Sequence, residues 1–346
     1  MAGGGSVAGG GLWMGNDHPV LRRCWHPVAR SEDVGETPLQ VTLFGERWVL
    51  ARLDGGAGPV SALRDRCPHR FAPLSAGRVV EGTFVCPYHG WRFGGNGRCA
   101  EIPAVGLDVP APAHAACLAA AAVAERFGLV WLALEPPLMP LPEVPEWGDR
   151  RFAVLELPLQ KWRAGAAQMV DNFLDVAHFP FTHTATIGVA SERLVGESSV
   201  ERGEWSFVAV YEHSARSLLG AVDDERPAGG RRMEFTAYAP HHLRLRLDYP
   251  DEGTTIVLLF FHQPVDASTT HLYALEPADN VADGRVAAED AISFQMTVAK
   301  EDRELLELME VKAVPLDLTV EHHTRADRIT VELRRMLADL AARTGS

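Results

Sequence analysis

Cys67-Pro68-His69-Arg70 and, after a glycine-punctuated loop, Cys86-Pro87-Tyr88-His89-Gly90-Trp91 form two short clips, C-x-H and C-x-x-H. Each clip offers one thiolate and one imidazole, so two facing loops present two Cys and two His to a single metal cluster. Thiolates are soft, anionic ligands for iron. Replacing two of them by neutral imidazoles on the second iron of a [2Fe-2S] cluster lowers the negative charge and raises the reduction potential. A zinc site takes the same four ligands, but its finger-like spacings run Cys, Cys, His, His rather than as two alternating clips.

The whole segment from Cys67 to Phe93 resembles the Rieske domain of aromatic-ring-hydroxylating and demethylating oxygenases. Respiratory-chain Rieske proteins carry an extra cysteine in each loop. Here the nearby positions are Ala72, Pro73, Pro87 and Tyr88, which favours an oxygenase or a ferredoxin over a membrane electron carrier.

The chain has 346 residues, 47% of them hydrophobic, enough for a substantial core and two domains. A lone Rieske ferredoxin would need only about a third of that length. The formal net charge of -13 argues against a nucleic-acid partner and against a surface for anionic lipid. Of the five cysteines, Cys24, Cys99 and Cys117 are left over from the clips, an odd remainder that fits free thiols in a reducing compartment. Met1 to Gly11 is Gly/Ala-rich without the basic and apolar segments of a signal peptide, and residues 1–20 are expected to be a flexible tail. The longest apolar-looking stretch, Cys117 to Leu134, is interrupted by Glu125 and Arg126, so no transmembrane span is expected and the protein reads as soluble and cytoplasmic.

Short β runs at Gln40–Phe44, Arg47–Arg52 and Val60–Arg64, punctuated by Gly and Pro, predict a small antiparallel barrel or sandwich over residues 21–140. Pro136, Pro137, Pro140, Pro142 and Pro145 mark a stiff boundary, after which residues 141–346 make a second domain. Long alternating runs follow, among them Trp205–Tyr211, Met233–Tyr238, Leu243–Leu247 and Thr254–Phe261. Leu243, Leu245 and Leu247 alternate with Arg244 and Arg246, predicting a sheet with one buried and one wet face, backed by helices. The polar loop 223–230 is placed to lie over a cavity or to be a plain surface loop.

Between them lies Gln168-Met169-Val170-Asp171-Asn172-Phe173-Leu174-Asp175-Val176-Ala177-His178-Phe179-Pro180-Phe181-Thr182-His183. On a helical period, Ala166, Val170, Phe173 and Ala177 share one face and Gln168, Asn172, Asp175 and His178 the other, with the helix expected to end near Pro180. A lone His on such a face is usually incidental. Here Phe179-Pro180-Phe181 is too apolar for a surface corner, and His178 and His183 with a carboxylate are the makings of a 2-His-1-carboxylate site for non-haem Fe(II). The third ligand is expected downstream. In the helix predicted over Glu289–Val311, Asp302 falls within an apolar stripe of Phe294, Val298, Leu305 and Met309. A buried carboxylate there needs a cation, either iron or an arginine. Its neighbours Glu301 and Glu304 sit off the stripe and read as solvated charges. The run Thr319–Ala342 is expected to be helical, and His241, His242, His262, His322 and His323 are assigned to no metal. Phe181, Tyr238, Phe260 and Phe261 are candidates for an apolar pocket or plain core.

With both stretches in view, the chain resembles a Rieske non-haem iron oxygenase of the α-subunit type, in the group of vanillate and dicamba O-demethylases, pheophorbide oxygenase and the saxitoxin-pathway hydroxylases. The family's D-x2-H-x4-H motif falls on Asp175, His178 and His183, and its late carboxylate ligand on Asp302 in Ala299-Lys300-Glu301-Asp302-Arg303. The resemblance implies an α+β fold, an all-β Rieske [2Fe-2S] domain followed by a helix-grip, START-like antiparallel sheet with helices. It implies Cys67, His69, Cys86 and His89 as cluster ligands, with Asn172 and Asp175 as catalytic residues beside the iron. Electrons from NAD(P)H would arrive through a separate reductase, with or without a ferredoxin, because no G-x-G-x-x-G unit is present. O2 and a small organic, aromatic or natural-product substrate would meet at Fe(II). A head-to-tail homotrimer would bring one subunit's cluster beside the next subunit's iron, with Asp175 bridging His178 and the neighbour's His89. The expected reaction is hydroxylation or oxidative demethylation by a monooxygenase. The alternatives are a ring-hydroxylating dioxygenase α subunit, a Rieske electron carrier without oxygenase activity, and zinc hydrolase chemistry at the second site.

Overall fold

A computed structural model describes residues 13–106, 109–215 and 229–343. The chain divides into two compact units, Leu21–Pro140 with Gln263–Asp266, and Leu141–His262 and Ala267–Ser346 with the residues up to Val20.

The first unit is built on three small antiparallel sheets: Leu39–Leu43, Glu46–Arg52 and Val60–Arg64; His26–Arg30, Leu129–Ala133 and Ala122–Arg126; and Arg78–Val80, Thr83–Val85, Arg92–Phe93 and Cys99–Glu101. The run Trp48-Val49-Leu50-Ala51 is apolar without alternation because both sides of its strand are buried. Trp48 and Leu50 join a core with Val130 and Leu132, while Val49 and Ala51 join a second with Leu74, Phe84 and Phe93. Three hairpins close on a two-residue X-Gly turn, Phe44-Gly45, Glu81-Gly82 and Phe127-Gly128, with positive φ at both positions. That is the type I′ turn whose twist matches the strands it joins, and glycine takes its second position without steric cost.

The second unit is an eight-stranded antiparallel sheet in the order Ala153–Glu156, Thr270–Ala278, Thr254–Pro264, His242–Tyr249, Gly229–Tyr238, Ser206–Ala215, Ser198–Arg202, with Gln160–Trp162 also paired to Thr270–Ala278. Its helices are α1 (Ala166–Leu174), α2 (Phe179–Thr182), α3 (Asp279–Ala282), α4 (Ala288–Leu308) and α5 (Arg328–Ala342). Met169 and Phe173 of α1, Met296, Ala299 and Leu306 of α4, and Leu272, Ala274 and Phe260 of the sheet pack into one core. Buried Arg334 of α5 pairs with Asp171 of α1 at 3.0 Å and with Glu321 at 2.7 Å.

Four expectations change. Residues 13–20 of the expected tail are ordered: Trp13–Met14 pairs with Val314–Pro315, and buried Asn16 accepts from the Ala166 amide at 2.8 Å, satisfying an open donor at the start of α1. The Gly/Ala composition that suggests a tail stops before them, and residues 1–12 lie outside the described ones. The arginine face of the sheet is only partly wet: Arg246 and Arg232 keep some exposure. Arg244 is buried, 2.9 Å from Glu146 and 3.0 Å from Glu234, because the segment carrying Glu146 covers it. Between Thr319 and Ala342 only α5 is α-helical, preceded by a short 3-10 turn, Arg325–Asp327, that Thr324 caps. On α4 the inward row runs Phe294, Val298, Asp302, Leu306, one step of four after another, while Leu305 and Met309 are exposed.

Candidate metal centres

The two clips share one backbone frame. The Cys67 amide donates to Ala72 O at 2.9 Å and the Phe71 amide returns to Cys67 O at 2.9 Å; in the second clip Cys86 donates to Trp91 O at 2.8 Å and Gly90 returns to Cys86 O at 3.1 Å. Phe71 and Gly90, at matching positions, both take positive φ. Asp65 pins the first clip by accepting from the amide and the hydroxyl of Ser75, at 2.8 and 2.7 Å. The frame buries Cys67 and Cys86 and leaves His89 exposed. The imidazoles of His69 and His89 meet at 4.5 Å between centroids, and Trp91 stacks on His69 at 4.7 Å.

These residues fit an iron–sulfur cluster on two observations. Nδ1 of His69 is buried with no hydrogen-bond partner, a donor atom awaiting a ligand. Burial pushes the Cys67 thiol up to about 11, although the amides of His69 and Arg70 aim at its sulfur. Without metal that sulfur keeps its proton, and iron binding would exchange the proton for the cluster.

The second centre is built around a break in a helix. α1 stops at Leu174, and Asp175 adopts extended geometry, its Oδ1 accepting from the Ala177 amide at 2.8 Å. α2 then carries His178 at its N-cap and His183 at its C-cap. Pro180, expected to end a helix, instead lies in the first turn of α2, where its missing N–H is not needed. Nε2 of His178 and Nε2 of His183 lie 3.1 Å apart, and Asp302 Oδ1 is 3.4 Å from the first and 3.1 Å from the second. Among the described residues, this is the group of three such donors whose ligand atoms lie within 4.8 Å of one another. Asn172 donates to Asp302 Oδ1 at 3.0 Å.

Each imidazole is gripped from behind by a carboxylate. Asp175 Oδ2 is 3.3 Å from His178 Nδ1, and Glu301 Oε2 is 2.7 Å from His183 Nδ1 and 2.7 Å from the Thr186 hydroxyl. Glu301 is therefore not the solvated charge expected from its helix position: His183 lies across the site and reaches it. Glu304 does face solvent, 3.6 Å from Lys300. The two carboxylates favour Nδ1–H on each ring and aim both Nε2 atoms at the point they share with Asp302 Oδ1. Burial alone would lower the pKa of His178, but its hydrogen bonds to Asp175 and Asp302 outweigh burial and push it up to about 9. Burial would raise Asp302, and the two imidazoles hold it below its ordinary value. The field at this point favours positive charge, as a site for a cation must.

His178, His183 and Asp302 form part of the wall of a cavity, partly open to solvent, between the inner sheet face and α4. Phe173, Phe179, Met233, Leu245, Leu258 and Phe294 supply apolar lining, and Gln160, Gln295, Arg231 and Tyr249 are its other polar groups. Of the four expected pocket residues only Phe260 lines it. Phe181 is 64% exposed, Phe261 is core, and Tyr238 bonds to the Glu143 carbonyl. Residues 223–228 of the expected covering loop lie outside the described residues, and Gly229 and Gly230 begin a strand. None of the five cysteines forms a disulfide, and no described helix is long and apolar enough to cross a membrane.

Comparison with known proteins matches both units. Residues 24–112 fit the Rieske [2Fe-2S] domain, and residues 162–343 fit the vanillate O-demethylase oxygenase C-terminal domain. Methylxanthine N1-demethylase NdmA of Pseudomonas putida is 28% identical over 94% of this chain and 91% of its own length. The oxygenase component of dicamba O-demethylase from Stenotrophomonas maltophilia is 34% identical over 53% of this chain and 54% of its own. The solved structure of Pseudomonas putida CBB5 NdmA with caffeine overlays with a TM-score of 0.82 at 28% identity, covering 94% of this chain and 93% of that one. This domain pair serves oxygenases that demethylate or hydroxylate small organic substrates with O2, using a [2Fe-2S] cluster, a mononuclear non-haem iron and electrons that reach them from NAD(P)H through a reductase. The chain belongs to the Rieske oxygenases, in the branch whose catalytic half is of the vanillate O-demethylase type.

Proposed function

We propose that this chain is a monooxygenase component that removes a methyl group from, or hydroxylates, a small organic molecule held in the cavity between α4 and the sheet. The observation that carries the reading is the meeting of His178 Nε2, His183 Nε2 and Asp302 Oδ1 in the wall of an apolar cavity. These three residues are the ligands of Fe(II), and Cys67, His69, Cys86 and His89 are the ligands of the cluster. Bound iron supplies O2 activation there, and the cluster supplies electrons. The protein does the rest by position. Asp175 and Glu301 fix the imidazoles by holding their Nδ1 protons, and Asn172 fixes the carboxylate of Asp302. Phe173, Phe260 and Leu258 keep water from the methyl or methylene group that is to react. For a methoxy or N-methyl substrate, one oxygen atom enters the C–H bond and the other leaves as water with two electrons and two protons; the hemiacetal or carbinolamine then breaks its C–O or C–N bond, releasing formaldehyde and the demethylated alcohol or amine, which takes the hydroxyl proton.

The finer organisation belongs to the same proposal. Electrons come from a reductase, directly or through a ferredoxin, and the working unit is a head-to-tail homotrimer in the cytoplasm. Half-exposed Asp175 and exposed His89 suit a bridge from this chain's His178 to the partner subunit's His89. Cysteines without disulfides suit the compartment. Ring dihydroxylation is the second reading, since it uses the same ligands; the demethylase relatives favour the first.

Anaerobic iron and sulfide analysis tests the metals: three irons and two sulfides per chain are expected, and two of each after reconstitution would overturn the oxygenase reading. With reductase, NADH and labelled O2, formaldehyde or a product carrying one labelled oxygen is the expected outcome. A diol carrying both labelled atoms would replace it with dihydroxylation.

A further inference from the structure

Along Gly229–Tyr238 the side chains alternate, so Arg231 and Met233 face the cavity while Arg232, Glu234 and Thr236 face away. On the far face every arginine has an acid: Arg232 lies 2.9 Å from Glu234, Arg244 lies 2.9 Å from Glu146, and Arg246 lies 2.9 Å from Asp248. Arg231 is different. It is 3% exposed, lines the cavity, and has no carboxylate among the described residues within ion-pair distance.

Its guanidinium instead donates to Nε2 of His213, its cross-strand neighbour, at 3.0 Å from Nε and 2.7 Å from Nη2, and Nη1 lies 3.4 Å from the Tyr249 hydroxyl. Burial and Arg231 itself hold His213 far below its ordinary pKa, at about 3, so it accepts a hydrogen bond but brings no negative charge. Glu276 makes no ion pair with Arg231 either. It bonds to Gln295, and burial pushes it up to about 7. Among the described residues part of this donor fork is left over for a ligand, and burying a cation with no anion beside it is costly.

We infer that Arg231 sets the specificity of the cavity by taking an oxyanion of the substrate, so that the preferred substrates are small organic acids carrying a carboxylate or sulfonate on an apolar body. This rests on the oxygenase reading above, whose cavity it shares. Phe179 connects the two ends: its ring lies 5.7 Å from Arg231 Cζ, 5.0 Å from the His178 ring and 5.8 Å from the His183 ring. The acid group and the carbon to be oxidised are thus separated by no more than a compact body, which excludes long-chain acids with a distal reactive carbon.

The test is binding without turnover, by calorimetry on the iron-loaded protein kept anaerobic. The probes are three matched pairs: benzoate and benzamide, 4-methoxybenzoate and 4-methoxybenzamide, 4-toluenesulfonate and 4-toluenesulfonamide. In at least one pair the acid binds about tenfold or more tighter than its amide; the preference disappears in Arg231→Met and is partly kept in Arg231→Lys, with the cluster spectrum unchanged. The inference is overturned if no acid binds better than its amide, whether or not either binds, or if the preference survives Arg231→Met. The wild-type pairs decide even where that variant does not fold. Iron content and O2 consumption report separately on the oxygenase reading, so a protein that loads iron and consumes O2 without an acid preference defeats this inference alone.

Discussion

Cys67, His69, Cys86 and His89 stand on two loops closed by their own backbones, whereas His178 and His183 flank a broken helix and Asp302 comes from α4, a separation of 130 residues from its partner Asn172. The first set is local and needs only its turns. The second exists only once the sheet and helices have packed. A site of the first kind tolerates change elsewhere in its unit, and a site of the second kind reports on the packing around it.

The sharpest way to break this contrast is to remove one ligand from each. Asp302→Ala is expected to lose one iron per chain and all detectable turnover while the visible spectrum of the cluster stays intact. Cys86→Ser is expected to lose that spectrum and keep the iron held by His178, His183 and Asp302. If either substitution strips both metals, the two sites are not independent. The next effect down comes from Glu301→Gln, which removes the carboxylate behind His183 and should cost about 10–100-fold in iron affinity or turnover. Glu304→Gln, one turn away in solvent, should change neither, and equal effects from the two would return Glu301 to the surface role its helix position suggests. Trp91→Leu removes the ring stacked on His69, and a loss of about 0.5–1.5 kcal/mol should appear as faster bleaching of the cluster. The smallest effect is Pro180→Ala. A proline that begins α2 contributes about 0.4–1 kcal/mol through the unfolded chain, so urea denaturation should show that loss; a gain would mean the ring had been interrupting a helix.

The same contrast explains what could be read before folding. The clips spell out the cluster site because ligand identity and spacing lie side by side. Asp302 is legible because an acid in a row of every fourth residue with Phe294 and Val298 must be buried. Glu301 is not, since helical periodicity ranks residues by face and cannot see that His183, 118 residues away, lies across from it. The alternation of Leu243, Leu245 and Leu247 with Arg244 and Arg246 gives the strand and its two faces correctly. It cannot reveal that Glu146 closes over the charged face, because alternation speaks of sides and not of cover. Arg231 carried a usable signal: on a two-residue period it shares the side of Met233, Phe235 and Ala237, an arginine where the pattern asks for an apolar residue.

One helix bears on how the enzyme could be redesigned. Phe294, Gln295, Val298 and Ala299 wall the cavity from the same 21-residue helix that carries Asp302, a rod about 30 Å long. Moving the rod outward to admit a bulkier guest would draw the carboxylate off its two histidines. Room must therefore be made by trimming side chains on a fixed beam, and the fold leaves a protein engineer free to recut the tiles but not to shift the wall.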